Sequence, residues 1–130
     1  MKNGTGLSTF SDGSTYKGEM KNDEIEGKGL YKWTNGDIYD GFFKEGKMHT
    51  NEGQVSTFYN ANKSIYVGEY KYDKKSGIGK FNYHNADVVY DGEWLNGKQH
   101  GKGAMIIYNK HGVEKKREEG IWQDGKRLPN

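Results

Sequence analysis

Tyr90-Asp91-Gly92-Glu93-Trp94, with the glycine pair Gly101-Lys102-Gly103 starting eleven residues after its tyrosine, is a unit that recurs along the whole chain. Earlier copies read Tyr16-Lys17-Gly18-Glu19-Met20, Tyr39-Asp40-Gly41-Phe42-Phe43 and Tyr66-Val67-Gly68-Glu69-Tyr70. A fifth, imperfect copy is Glu118-Glu119-Gly120-Ile121-Trp122. The glycine pair returns at Gly27-Lys28-Gly29 and Gly77-Ile78-Gly79, and Gly4-Thr5-Gly6 fills the same slot ahead of the first tyrosine. Copies start 23, 27, 24 and 28 residues apart. A period of this length marks an array of stacked supersecondary units, none of which buries its apolar face alone.

Parity within the unit decides its secondary structure. Tyr16, Gly18 and Met20 alternate with Lys17, Glu19 and Lys21, and Gly27, Gly29, Tyr31 and Trp33 alternate with Lys28, Leu30 and Lys32. Alternation with aromatics on one side predicts half-buried strands. Between them stand turn residues: Asn22-Asp23, Glu45-Gly46, Asp73 and Asn96-Gly97 within units, Asp12-Gly13 and Asn35-Gly36 between them. Each unit is therefore a hairpin, and the chain is predicted to be an all-β, single-layer antiparallel meander of about ten short strands. Residues 1–130 form one array: a half repeat over 1–15, repeats starting at 16, 39, 66 and 90, and a partial repeat over 118–130. The second copy departs, with Thr50 and Glu52 in the glycine slots and Gly53 one place late. Its length predicts insertions there and near Asn60 to Ser64.

Gly18, Gly41, Gly68, Gly92 and Gly120 each sit between two ring positions on one face. A glycine there either bends the strand or leaves room for a neighbouring ring against the backbone; its return in all five copies favours packing. The predicted result is a ladder of rings running through the array.

Composition narrows the class. The 130 residues carry 20 Gly, ten Tyr, one Pro and no Cys, with a net charge of +2. Leu, Ile, Val and Phe total 21 residues, below the roughly 20% that flags disorder, but a low net charge and abundant aromatics argue for a folded chain. The lack of Cys excludes disulfide scaffolds, thiol catalysis and cysteine zinc sites. A mean hydropathy of −1.10 and no long apolar run exclude a membrane-spanning helix. MKNGTGLSTF lacks the apolar stretch of a signal peptide, so an intracellular, cytoplasmic location is expected. The isoelectric point near 8.6 comes without a clustered basic stripe, so no nucleic-acid partner is predicted.

These residues resemble the MORN repeat family (membrane occupation and recognition nexus), with the pattern Tyr-x-Gly-x-Trp-x-x-Gly-x-x-x-Gly-x-Gly. Tyr90, Gly92, Trp94, Gly97, His100, Gly101 and Gly103 match it best. Met20, Phe43 and Tyr70 replace its tryptophan, and the second copy lacks its glycine pair. The resemblance implies an elongated, twisted single sheet with an aromatic groove along one face. It implies a scaffold or interaction module of the kind found in radial spoke heads, junctophilins and parasite cytoskeletal proteins. Where such arrays occur in lipid kinases and a histone methyltransferase, catalysis belongs to another domain.

No catalytic constellation is present: no Gly-x-Ser-x-Gly, no His-Glu-x-x-His and no Walker glycine-lysine loop. The repeated Gly-x-Gly precedes no helix, so it does not read as a phosphate cradle. The chain is predicted not to be an enzyme and to need no cofactor or metal. His49 and His100 share a repeat slot, which reads as turn architecture ahead of a metal shared between chains; His84 and His111 read as loop residues. Glu118-Glu119, among Lys115, Lys116 and Arg117, reads as a solvated loop. Asn3-Gly4-Thr5 and Asn62-Lys63-Ser64 read as chance glycosylation patterns.

The expected partner-binding groove comprises Tyr39, Phe43, Tyr66, Tyr70, Tyr90, Trp94 and Trp122, ring edges packed between repeats and ring faces open to a guest. The leading partner is a protein: a helix, an extended peptide or another chain of this family, as in a homodimer or a ciliary or cytoskeletal assembly. The alternatives are an anionic-membrane module and a regulatory segment of a larger enzyme. Lys17, Lys21, Lys28, Lys32, Lys71 and Lys102 favour the membrane, but Glu19, Asp40, Glu69 and Glu93 share their face and largely cancel them.

Overall fold

Alternating segments joined by residues that tolerate positive φ become strands and tight turns throughout the computed structural model, which describes residues 4–83 and 87–129. Ten principal strands form: β1 (Gly4–Thr9), β2 (Thr15–Lys21), β3 (Glu24–Lys32), β4 (Ile38–Lys44), β6 (Ser56–Tyr59), β7 (Ile65–Lys71), β8 (Lys74–Asn82), β9 (Val88–Leu95), β10 (Lys98–Tyr108) and β11 (Glu114–Gln123). Two further strands, β5 (Lys47–Met48) and β12 (Lys126–Arg127), have two residues each. All belong to one antiparallel sheet in chain order, with β5 beside β4. Among the described residues there is no helix, and so none long and apolar enough to cross a membrane.

Each unit's inner turn has two consecutive positive φ values: 52° and 65° at Asn22-Asp23, 43° and 72° at Tyr72-Asp73, 51° and 84° at Asn96-Gly97. This is the hairpin turn whose twist matches that of the flanking strands. The outer turns are closed by side chains. Asp12 Oδ1 accepts from the Ser14 amide at 2.9 Å and hydroxyl at 2.6 Å, and Asn62 Oδ1 does the same for Ser64 at 3.0 and 2.6 Å. Asn62-Lys63-Ser64 is thus a turn device; Asn3 and His84 lie outside the described residues.

The strand register aligns the glycines in one row across the sheet. Gly6, Gly18, Gly29 and Gly41 are successive partners, then Ser56, Gly68, Gly79, Gly92, Gly103 and Gly120. The leading tyrosine of the repeat lies across this row. A Cβ on Gly29 would overlap the hydroxyl of Tyr16, and Gly79 and Gly103 stand in the same relation to Tyr66 and Tyr90. The hydroxyls reach carbonyls three residues on: Tyr16 donates to Glu19 O at 2.7 Å, Tyr39 to Phe42 O at 2.6 Å, Tyr66 to Glu69 O at 2.8 Å and Tyr90 to Glu93 O at 3.0 Å. A buried phenol is thereby satisfied.

The core is a herringbone of rings. Tyr16–Phe43–Tyr39–Tyr70–Tyr66–Trp94–Tyr90–Trp122 are linked by edge contacts of 4.9 to 5.5 Å between centroids, at 73° to 89° between planes. This is the favoured aromatic geometry, stabilising each pair by about 0.5–1.5 kcal/mol beyond burial. Trp94 and Trp122 also donate their indole N–H to Gly79 O and Gly103 O, at 3.1 and 3.2 Å.

Around the first glycine of the pairs at 27, 77 and 101 the strand bulges. Register shifts fall between Gly18 and Met20, Gly68 and Tyr70, and Gln99 and Gly103. Gly27, Gly77 and Gly101 there have φ of 79°, 97° and 69°, a region that favours glycine. The carboxylates of Glu19, Glu69 and Glu93 accept the amides of Lys28, Ile78 and Lys102 beside these bulges. These acids, expected to be free surface charge offsetting lysines, instead hold the bulges.

The second copy breaks this pattern in a coordinated way, and its predicted anatomy needs correction. Thr50 does take the first glycine slot: its amide donates to Tyr70 O and its hydroxyl accepts from the Tyr70 amide, both at 3.0 Å. The second slot belongs to Ser56, not Glu52, because five residues instead of one separate the slots. Ser56 Oγ lies 2.7 Å from Tyr39 Oη and accepts the Phe42 amide at 3.0 Å. Phe42 stands where three other copies carry Glu19, Glu69 and Glu93, and no glycine bulge remains for an acid to hold. Asn60–Ser64 holds no insertion; Asn60 N donates to Ser64 O at 2.9 Å just as Phe10 N does to Ser14 O in the first outer turn. The charged run at 114–119, expected as a loop, is strand β11 paired to β10. Its carboxylates and cations pair on the exposed strand, as Arg117 does with Glu114 at 2.8 Å, which suits a sheet edge.

Candidate functional site

The sheet's two faces differ in kind. The face carrying the ladder also carries half-buried Met20, Ile25, Tyr31, Trp33, Met48, Phe58, Phe81, Tyr83 and Met105 packed against it. Tyr39, Tyr66 and Tyr90 are 0% exposed, Tyr70 is 4%, Phe43 and Trp122 are 6% and Trp94 is 7%. The expectation that their ring faces stay open is therefore corrected. Each tyrosine spends one face on the glycine row, and edge-to-face neighbours from the same and adjacent repeats take the rest. These seven rings are a floor, and the surface a guest would meet is the second rank of rings.

That second rank comes from the strand after each glycine pair. Phe10 stacks on Tyr31 at 5.7 Å, Tyr31 meets Trp33 at 4.6 Å, and Trp33 meets Phe58 at 5.4 Å. Further along, Phe81 meets Tyr83 at 4.9 Å and Trp94 at 6.1 Å. Beside Phe58 and Phe81 lies a cleft in two adjoining parts. One, of about 280 Å³, is lined by Lys75, Phe81, Tyr83, Trp94, Lys98 and Gln99 among others. The other, of about 310 Å³, is lined by Met48, Phe58, Tyr70, Asp73, Lys74 and Lys75 among others. Lys75 and Gly97 belong to both.

Turn chemistry positions Lys75. The second residue after each inner turn offers its carbonyl to the next turn's amide: Gly46 N to Ile25 O at 3.0 Å, Asp73 N to Met48 O at 2.8 Å, Gly97 N to Lys75 O at 2.9 Å, Gly125 N to Gln99 O at 3.0 Å. Ile25, Met48, Lys75 and Gln99 thus share one slot on the ring face. The Lys75 ammonium lies 5.4 Å from the ring centre of Tyr66, 5.5 Å from Phe81 and 5.7 Å from Trp94. Burial among these rings pushes its pKa below the ordinary lysine value. Gln99 donates to Tyr83 Oη at 3.0 Å.

His49 serves architecture: its Nδ1 accepts the Tyr72 amide at 3.3 Å and its ring packs on Tyr72 at 4.5 Å. Burial first, then Lys44 and Lys71, lower its pKa. Among the described residues no cluster of His, Asp or Glu could hold a metal.

The opposite face carries the mixed charges, and also a largely apolar row that sequence reading missed: Ile38, Tyr59 and Ile65, then across polar Asn82 to Val89 and Ile106, are successive cross-strand partners. Its signal was the branched residue before three of the tyrosines, Ile38, Ile65 and Val89. Cross-strand neighbours there also pair opposite charges, as Lys80 with Asp91.

A family model described as MORN repeat matches residues 1–15, 16–38, 39–49, 66–88 and 90–112. The unmatched stretch 50–65 holds the extra residues and Ser56. Among curated proteins, Alsin of Homo sapiens is 25% identical over 95 residues, covering 70% of this chain and 6% of Alsin. MORN repeat-containing protein 3 of Xenopus laevis is 38% identical over 75 residues, covering 54% of this chain and 30% of that protein. Inactive protein tyrosine kinase pTKL of Plasmodium berghei (strain Anka) is 31% identical over 111 residues, covering 84% of this chain and 8% of that one. The matches span less than a third of each relative's length.

Proposed function

We propose that this chain, which belongs to the MORN repeat family, is a non-catalytic interaction module that seats a protein segment in the ring-face cleft. Arrays of this family occur in proteins that mediate interactions or membrane association, and the family is generally non-catalytic. The observation that carries the finer reading is the two-part cleft that runs from Phe58 past Tyr83 to Gln99, floored by buried rings and walled in part by half-buried ones. Aromatic residues that are held rigid yet reachable supply binding energy at little entropic cost. A helix or an extended peptide fits the proposal, and so does a second chain of the family.

The membrane reading has less support. Three acids on the opposite face are tied to backbone amides, and the lysines there alternate with apolar and acidic neighbours. Membrane attraction of about 1 kcal/mol per basic residue requires unopposed charge. An intracellular, cytoskeletal or ciliary setting belongs to the same proposal and is tested by imaging the tagged chain in its native cell.

The decisive test uses Tyr83→Ala, not Trp94→Ala, because Trp94 is core and its loss would unfold the site. Tyr83→Ala should retain the β-sheet spectrum and lose the protein that co-purifies with the wild type. Retention of that partner, together with release of the wild type from anionic vesicles by salt, would move the function to the membrane.

A further inference from the structure

The partner's chemistry can be read from Lys75, on the footing that the cleft is the binding site proposed above. In the two preceding copies the same slot holds Ile25 and Met48, and their hairpins close with the same turn-to-carbonyl bond. The fold does not need a cation there. Lys75 nevertheless brings its ammonium half-buried onto three rings. Ring quadrupoles attract a cation but give its three N–H groups no acceptor. Among the described residues no carboxylate or carbonyl accepts from this ammonium. Asp73, an acid lining the cleft, turns its Oδ1 to the Met48 amide at 2.8 Å and forms no ion pair with Lys75. Lys74 and Lys98 line the cleft on either side and add to the positive potential. A charge held part-way out of water without a paired carboxylate is a cost that an incoming anion relieves.

We propose that the cleft selects an acidic, extended peptide segment, with one carboxylate on the Lys75 ammonium and apolar side chains in the two flanking pockets. An extended chain points residues i − 2, i and i + 2 to the same side. The outer two then meet Met48, Phe58 and Tyr70 in one pocket and Phe81, Tyr83 and Trp94 in the other.

The test is selection of a displayed random dodecapeptide library on the immobilised chain. Peptides with Asp or Glu between apolar residues two positions away should be enriched. Lys75→Met, which installs the side chain Met48 already carries in this slot, should bind them about tenfold more weakly, as loss of one charge-assisted hydrogen bond implies. Lys75→Arg should keep most of the affinity. Exchanging the peptide's carboxylate for its amide should cost the wild type the same tenfold and the Lys75→Met variant nothing. Enrichment of neutral peptides, or unchanged affinity in Lys75→Met, overturns the acidic selectivity; if Tyr83→Ala still abolishes binding of those peptides, the cleft itself stands. Peptides indifferent to both variants, or capture of phosphatidylserine vesicles and of no peptide, overturns the cleft as well.

Discussion

At Gly77 the backbone takes φ of 97°, and the Glu69 carboxylate closes over the adjoining Ile78 amide. Two expectations follow at this scale. Gly77→Ala forces an L side chain into the left-handed region against Glu69 and should cost more than about 1 kcal/mol, whereas Glu69→Ala should cost about 0.5–1.5 kcal/mol, one hydrogen bond next to solvent. Denaturant melts of the two variants check the order. The glycine row gives a second contrast. A Cβ at Gly68 would lie 2.5 Å from Gly79 Cα, 2.6 Å from Tyr66 Oη and 2.7 Å from Ile78 O, mostly rigid backbone. At Gly120 the first obstacle is the movable Arg127 side chain, at 2.9 Å. Gly68→Val should therefore destabilise by more than the roughly 1–3 kcal/mol of ordinary overpacking and Gly120→Val by less; equal shifts in Tm would refute the stacked-row account.

At the scale of the hairpin, the second copy shows which features must change together. Phe42, Thr50 and Ser56 replace glutamate, glycine and glycine, and the extra residues keep Tyr70 paired through Thr50. Thr50→Ala removes the acceptor of the Tyr70 amide and should cost about 1 kcal/mol, with faster hydrogen exchange at Tyr70. A regularised hairpin, carrying Phe42→Glu, Thr50→Gly and Ser56→Gly with one residue in place of 51–55, should fold with an equal or higher Tm. If Phe42→Glu adds nothing to that variant, the coupling between acid and bulge is wrong. The spacing of 27 residues in the sequence revealed that something was added here. It did not say that both slots remained filled, because Thr50 and Ser56 do in three dimensions what glycines do elsewhere, with different chemistry.

Across the whole molecule the herringbone makes the array cooperative. Trp94 touches Tyr66 and Tyr90 in two successive repeats, so Trp94→Ala should cost about 3–5 kcal/mol and shift one common transition, not leave the N-terminal repeats melting unchanged. The ladder also sets an alkaline limit. Burial pushes the phenols of Tyr16, Tyr39 and Tyr90 up to about 12, and those of Tyr66 and Tyr70 still higher. Unfolded tyrosine titrates near 10. The folded state thus holds its phenolic protons more tightly, so this stability is fully present below pH 10 and is lost as pH rises from there through about 12. Tyrosinate absorbance and the β-sheet spectrum should change together over that range. A sheet that persists after all ten tyrosines have ionised would contradict the buried ladder.

Strand parity, inner-turn positions and the glycine slots were legible in the one-dimensional pattern because each depends on residues within one repeat and on a period of two. The all-β single sheet follows from them, since a hairpin without a second layer can only stack on its own kind. Which atoms cover a ring was not legible. It depends on how far each tyrosine leans across the neighbouring strand's glycine, 13 positions on, and how its edge meets the next repeat's ring, 27 to 32 positions on. For that reason Tyr39, Tyr66 and Tyr90, chosen from the sequence as a binding surface, are instead fully buried beneath the half-buried rings. For the same reason Lys75, one lysine among eighteen by composition, became the cation of the cleft only when the turn at 72–73 set it against Tyr66, Phe81 and Trp94.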